Sequence, residues 1–338
     1  MHWKTTALAV IAGLLLAAAA YAQGTGRSLD IQPGARENGM GAAGVALGGD
    51  PTGDTWWNPA ALGFCKHMGG ELTGAQLVPG LATDVYYSNA AGVFPLEGFG
   101  ALGFDLVYLT YGTSDGYDPT GIFTGQFTSY EVSPALSYGV QLVPNLSVGA
   151  TVKWIRIQLA PQSMQGVGTT VGFDLGGLFK VPVTVGSFKN GSVNLGVAVQ
   201  NLGPSVAFIN EDEASPLSRN VKSGLAVEGS AGKLFHLALA GDFNQSLVTP
   251  KFRTYNGGLE IGVGSPSSQD AAAAGLDAAL MLRVGYYSDP LGNIGGITYG
   301  LGARLALFAL DIAGIPQARD SGLDYVKKIT LGIHAPNF

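Results

Sequence analysis

Beyond residue 70 or so, apolar side chains recur at every second position, and the residues between them are mostly small. Strict alternation marks a β-strand with two unlike faces. Leu102, Phe104, Leu106 and Tyr108 share one face, against Ala101, Gly103 and Asp105. Leu146, Val148, Ala150, Val152 and Trp154 oppose Ser147, Gly149, Thr151 and Lys153. The same pattern returns at Val193–Val199, Leu280–Tyr286 and Ile297–Ala303. In a soluble sandwich the second face meets water and carries Lys, Glu and Thr. Here it carries Gly, Ala, Ser and Asn with isolated charges. That suits an all-β fold, a transmembrane antiparallel β-barrel with a crowded interior and an apolar face turned to lipid. A soluble β-helix or sandwich is the competing architecture. Charged residues make up only 12% of the chain, against about 25% in an ordinary soluble domain, which favours the membrane.

The segments are long enough to cross hydrocarbon as tilted strands. We count about fourteen, an even number as bacterial barrels require. They start near Gly70, Thr83, Gly98, Thr128, Asn145, Gly166, Gly191, Arg219, Lys233, Phe252, Leu276, Ile294, Leu305 and Tyr325. The weakest boundary is Arg304–Phe308, where no Gly, Pro or Asn marks a turn. If the first strand runs outward, the long connections Gly112–Phe127 and Gly203–Ser218 fall outside the cell. The Pro144-Asn145 and Gly229–Gly232 turns then fall on the periplasmic side. Ser265–Gly275 is long and Ala-rich yet lands inside, and is expected to hold a short helix.

The N-terminus reads as an export signal. Met1–Lys4 is short and positive, Thr5–Ala20 is apolar, and Ala20-Tyr21-Ala22 offers the small residues of a cleavage site. The apolar run falls short of a spanning helix. Residues 1–22 are therefore expected to be a cleaved signal peptide, residues 23–68 a separate N-terminal segment, and residues 69–338 the barrel, in the outer membrane. The 23–68 segment is Gly-rich and holds Trp56-Trp57-Asn58-Pro59-Ala60. Pro59 excludes a central strand, and glycines let backbones approach closely. Such a segment is expected to fold back as a hatch or plug inside the lumen.

Gly34–Leu62, with its Gly-Ala-Arg-x-x-Gly-Met-Gly run (Gly34–Gly41) and Asn58-Pro59-Ala60, resembles the N-terminal signature of the PorV/PorQ family. Leu195–Pro204, Leu282–Tyr287 and Tyr299–Ala313 resemble later parts of that family, in family order. The resemblance implies a FadL-like barrel of fourteen strands with an N-terminal hatch, associated with type IX secretion. It implies binding of a translocon barrel, or of the C-terminal signal domain of exported cargo, at the outer face. Gly39, Met40, Gly41, Trp57, Asn58, Pro59 and Ala60 would shape the hatch. A second reading is a FadL-like passive channel for long-chain fatty acids or other hydrophobic small molecules. The connections 112–127 and 203–218 lack the helical period of a lipid-capture groove, which favours the secretion role. Pro336 interrupts the last alternation, so the final strand is expected to bulge or stop before Phe338.

No catalytic residue, metal or cofactor site is expected. His67, His236 and His334 sit in no Ser-His-Asp context. Cys65 and His67 fall short of a tetrahedral metal set. The net charge of −6 gives no basic stripe for nucleic acid. The expected partner of the wall is outer-membrane lipid. Asp105, Lys153, Arg283, Arg304 and Asp311 are placed on the inward face, where they would line a channel or, the favoured reading, satisfy the hatch groups Arg27, Arg36 and Glu37. Asn194, Gln200, His236 and Asp242 join them. Tyr86, Tyr87, Tyr108, Tyr111, Trp154, Tyr286 and Tyr287 are assigned to interfacial girdles. Glu211-Asp212-Glu213 sits in an outer connection.

Overall fold

The computed structural model describes residues 24–118, 120–185, 188–231, 235–264, 278–290, 292–319 and 321–335. The expected signal peptide, the Ser265–Gly275 connection and the Pro336–Phe338 tail lie outside the described residues.

Fourteen antiparallel strands close into one barrel. They are β1 (Gly69–Gln76), β2 (Tyr86–Leu96), β3 (Gly100–Tyr117), β4 (Phe123–Val143), β5 (Leu146–Gln158), β6 (Val167–Val185), β7 (Phe188–Leu202), β8 (Asn220–Ala231), β9 (Phe235–Ser246), β10 (Arg253–Gly264), β11 (Ala278–Asp289), β12 (Ile294–Leu305), β13 (Phe308–Ile315) and β14 (Val326–His334). Each strand pairs with its sequence neighbours. β14 closes on β1, with Gly69 opposite His334 and Leu72 opposite Leu331. Closure removes the exposed edges that an open sheet would leave in lipid. Among the described residues no helix is long and apolar enough to cross a membrane; the strands do so.

The two faces separate as the alternation requires. On β11, Leu282 is 63% exposed while Arg283 beside it is 4% exposed. The exposed face of the wall is a coat of Leu, Val, Ile, Phe and Tyr. Such a coat is stable against acyl chains and not against water.

Several expectations are corrected. Gly112–Phe127 is not a loop: β3 and β4 run through it, leaving only residues 118–122 as the connection. Its Thr, Tyr and Phe are good strand formers, and the ribbon rises beyond the lipid, where no alternation is needed. Its outermost aromatics, Tyr117 and Phe123, meet edge to face at 5.8 Å. Gly203–Ser218 does not stand clear of the barrel either. Val206 and Leu217 pack with Leu29, Ile155 and Ile157, and Thr25 N–H donates to the Pro216 carbonyl at 2.7 Å. Gly229–Ala231 of the expected Gly229–Gly232 turn belong to β8, and Gly232 lies outside the described residues. The unmarked boundary near Arg304 is a tight turn at Ala306-Leu307, with Ala306 at φ 50°. Tyr87 is fully buried, Tyr287 packs against the inner cluster, and the Tyr111 hydroxyl donates to buried Glu131 at 2.7 Å. These three are not girdle residues. Adjacent tyrosines in a strand must point to opposite faces, so each Tyr-Tyr pair supplies one to the interior.

The wall is uneven in height. β13 and β1 have 8 residues each and β14 has 9, while β4 has 21. By the rule of short inner turns and longer outer connections, the 118–122 and 203–219 connections mark the outer end. Residues 24–68 bond to inward-facing side chains and backbone of strands around the barrel, among them Glu71 of β1, Glu131 of β4, Ser147 of β5, Asp242 of β9, Glu260 of β10 and Thr330 of β14.

Candidate functional site: the lumen and its outer mouth

The Asn-Pro-Ala turn is held by its own chemistry. Asn58 is extended (φ −155°) and caps the short helix Pro59–Phe64, with Pro59 at its first position. There a proline loses no needed N–H. The Asn58 side-chain oxygen accepts from Ala60 N–H at 3.1 Å. Its amide donates to the Val45 carbonyl at 2.9 Å and to the Gly177 carbonyl of β6 at 3.1 Å. The wall opposite is glycine: a Cβ on Gly149 would lie 2.2 Å from the Pro59 carbonyl oxygen, and one on Gly139 2.5 Å. Ser147 Oγ donates to the Ala60 carbonyl at 2.6 Å.

Gly39, Met40 and Gly41 meet the other side of the wall. Gly41 has φ 75° and donates to Thr298 Oγ1 at 2.9 Å. A Cβ on Gly258 would come within 2.3 Å of the Met40 carbonyl oxygen. Trp56 and Trp57 are buried and pack edge to face at 5.1 Å. Gln200 Nε2 donates to the Trp56 carbonyl at 2.6 Å.

The lumenal charges fall into separate groups. Arg283 donates to Glu260 and to Asp311, both at 2.5 Å. Arg36 reaches Glu260 at 3.2 Å and Asp50 at 2.9 Å, so one carboxylate on β10 serves an arginine of the wall and one of the N-terminal segment. Lys153 binds Asp174 at 2.7 Å and Asn201 at 2.9 Å. Asp105 accepts from Asn89 at 2.6 Å. Asp242 accepts from Gly44 N–H at 2.7 Å and Val45 N–H at 2.9 Å. Arg283 and Asp311 thus stand together, Asp105 and Lys153 each find other partners, and Arg304 lies at the inner end in a small cavity with Cys65, His67 and His334. Glu260, Asp174, Lys222 and Lys328 were not singled out in the sequence. Parity places them on the inward face: Glu260 and Asp174 stand between apolar neighbours, as in Leu259-Glu260-Ile261, and Lys222 and Lys328 fall out of step with the outward Leu225 and Val227 of β8 and Ile329 and Leu331 of β14.

Burial works against charge on Arg36, but Glu260 and Asp50 hold its pKa above the usual value. Burial, and then Asp50, push Glu37 well above the carboxylate range, and among the described residues neither of its oxygens finds a hydrogen bond. Burial and Asp50 likewise hold Asp54 up at about 7. Cys65 is a free thiol that donates to the His67 carbonyl at 3.2 Å. Burial, and then Asp54, push it up to about 12. The free thiol is therefore protonated at neutral pH.

Two concavities flank this core. At the outer mouth a cavity of about 280 Å³ lies between the N-terminal segment and the rims of β8, β9, β13 and β14. On the lipid face, beside the short strands, Leu72, Ala90, Leu310 and Leu331 line an apolar groove of about 640 Å³.

Compared with known proteins, residues 22–252 match the profile of a family described as type IX secretion system protein PorV. No curated protein matches the sequence. Among solved structures, the Ralstonia pickettii toluene transporter TbuX is similar at a TM-score of 0.50 and 13% identity, over 90% of this chain and 98% of that one. A TodX deltaS2S3 mutant monoaromatic hydrocarbon channel is similar at 0.50 and 13%, over 90% and 99%. At such identity the likeness speaks for the barrel fold alone.

Proposed function

The chain belongs to the PorV family of type IX secretion system proteins, in the outer membrane, and we propose that it serves that system as an accessory barrel. Its outer end binds the translocon barrel or the C-terminal signal domain of exported cargo. Residues 24–68 act as a hatch, with Gly39, Met40, Gly41, Trp57, Asn58, Pro59 and Ala60 as its seat.

The observation that carries this reading is the way residues 24–68 are fixed to the wall. Hydrogen bonds and ion pairs tie them to β4, β6, β7, β9, β10, β12 and β14. A conduit would need this segment to yield, whereas a scaffold needs it to stay. The β3–β4 ribbon, with Tyr117, Ile122 and Phe123 exposed at its tip, offers an apolar contact above the membrane. The test is a pull-down with the tagged barrel from detergent-solubilised envelopes of its own host. Recovery of a giant outer-membrane barrel, or of a protein carrying a secretion-signal domain, is expected. Recovery of neither overturns the reading.

The lipid-side groove favours a second reading, a passive channel for hydrophobic molecules. TbuX is a toluene transporter of the same fold. Saturable uptake of labelled oleate by liposomes holding the purified barrel would establish it and reject the scaffold role.

A further inference from the structure

The outer cavity contains a cation that the protein leaves without an acceptor. Lys222 projects inward from β8 and is 6% exposed. Its ammonium lies 4.3 Å from the centroid of the Trp56 ring and 5.2 Å from that of Trp57. Among the described residues no hydrogen bond or ion pair reaches this nitrogen. The other buried lumenal cations differ. Lys153 has Asp174 and Asn201, Lys328 has the Gln32 carbonyl and Asn38, and Arg36 and Arg283 have Glu260. The indole faces attract the ammonium, but they leave its three N–H donors unused. A buried charge without hydrogen bonds is costly. Lys222 lines the cavity, so an anion there would reach it. Arg27, also in the lining, is 47% exposed, so the cavity opens to the outside.

The walls are unlike. Asn220 and Asn244, on β8 and β9, make one side polar; Leu77, Ile315 and Val326 make the opposite side apolar. Arg27, Lys222 and Lys328 outnumber Asp30 and Asp289 in the lining. Asp30 is already engaged by Arg27 at 3.3 Å and Asn220 at 3.2 Å. A volume of about 280 Å³ stands at the small end of ligand pockets and excludes a long acyl chain.

We propose that this cavity binds the carboxylate of a small amphipathic acid, with the anionic end on Lys222 and the apolar part against Leu77, Ile315 and Val326. The same chemistry has two sources, a free organic acid or the α-carboxylate that ends a polypeptide. The site does not rest on the secretion role, and its test uses no secretion partner.

The indoles beside Lys222 are a built-in reporter. The purified full barrel in detergent is titrated with benzoate, with benzyl alcohol, and with an N-acetylated tripeptide ending in valine, as free acid and as amide. Tryptophan fluorescence is followed; Trp154 on the lipid face supplies a constant background. A saturable change is expected with benzoate or with the free-acid peptide. It weakens about ten-fold or more for the matching neutral compound and in Lys222→Met, and Lys222→Arg restores it. A benzoate response assigns a free acid, and a response to the peptide alone assigns a chain terminus. No saturable response to either acid overturns the site. So does equal affinity for acid and neutral partner, or an unchanged response in Lys222→Met. If Lys222→Met loses heat-modifiable mobility on gels, the acid-against-neutral contrast on the wild-type barrel decides alone.

Discussion

Replacing Asn58 by Ala separates the seat of the N-terminal segment from the wall around it. The substitution removes the bonds to Ala60 N–H, the Val45 carbonyl and the Gly177 carbonyl. At about 1 kcal/mol each, the loss is about 3 kcal/mol, more if the two buried carbonyls find no water. That is about a hundred-fold in the equilibrium between seated and unseated segment. The assay is native-state hydrogen exchange on the detergent-solubilised barrel, which reads such local opening. Ala60 and Ala61 are the amides to follow, since they bond to the Asn58 side chain and carbonyl. Both should exchange about a hundred times faster in Asn58→Ala, with the β4 and β5 amides unchanged. A change under about three-fold would refute the reasoning, because the turn would then be held by shape and not by Asn58. Equal acceleration in turn and strands would refute it differently, by showing that wall and segment open as one unit.

Four further outcomes follow from the same geometry. Gly149→Leu places carbon 2.2 Å from the Pro59 carbonyl oxygen, with backbone that cannot retreat; limited proteolysis should then cut residues 24–68 while the barrel keeps its heat-modifiable mobility. Arg283→Met strands Asp311 and leaves Glu260 to Arg36 and should cost about 3–5 kcal/mol in urea unfolding, part of it regained on adding Asp311→Leu. Asp54 has its folded pKa raised to about 7, so its stabilising contribution is complete below the unfolded value near 3.9 and is lost as pH rises to about 7. The share of wild-type stability that Asp54 carries should fall by up to about 4 kcal/mol across that window, and Asp54→Asn should make the profile less steep there. Ala306 sits at φ 50°, so Ala306→Gly should stabilise the β12–β13 turn by about 1 kcal/mol, read as a raised urea midpoint.

The wall was legible because lipid imposes a period of two. Leu280, Leu282 and Val284 could point only one way, and the glycines and alanines between them only the other. The same parity would have found Glu260, Lys222 and Lys328, and would have sent Tyr87 and Tyr287 inward. It could not say which charges meet. Arg36 finds Glu260 across 224 positions, and strand stagger and the path of the N-terminal segment decide that. The outer connections are less legible for a related reason. Above the lipid, nothing forces the 112–127 ribbon to alternate, and its strand character rests on Thr and Tyr propensity. Within Gly203–Ser218 no local pattern distinguishes Val206 and Leu217, which turn inward, from Ile209, which stays exposed.

The seating of residues 24–68 fixes an order of events in biogenesis. Ala35 N–H donates to Thr330 Oγ1, 295 positions downstream, and the Lys328 ammonium donates to Gln32 and Asn38. Residues 24–68 therefore find their last partners only when β14 arrives. Until the ring shuts, the two tryptophans and the buried acids have no dry home, and they must wait in the aqueous periplasm. Contacts this distant in sequence make for slow acquisition. A chain cut short before Val326 would forfeit both the closing strand and the berth of its own beginning.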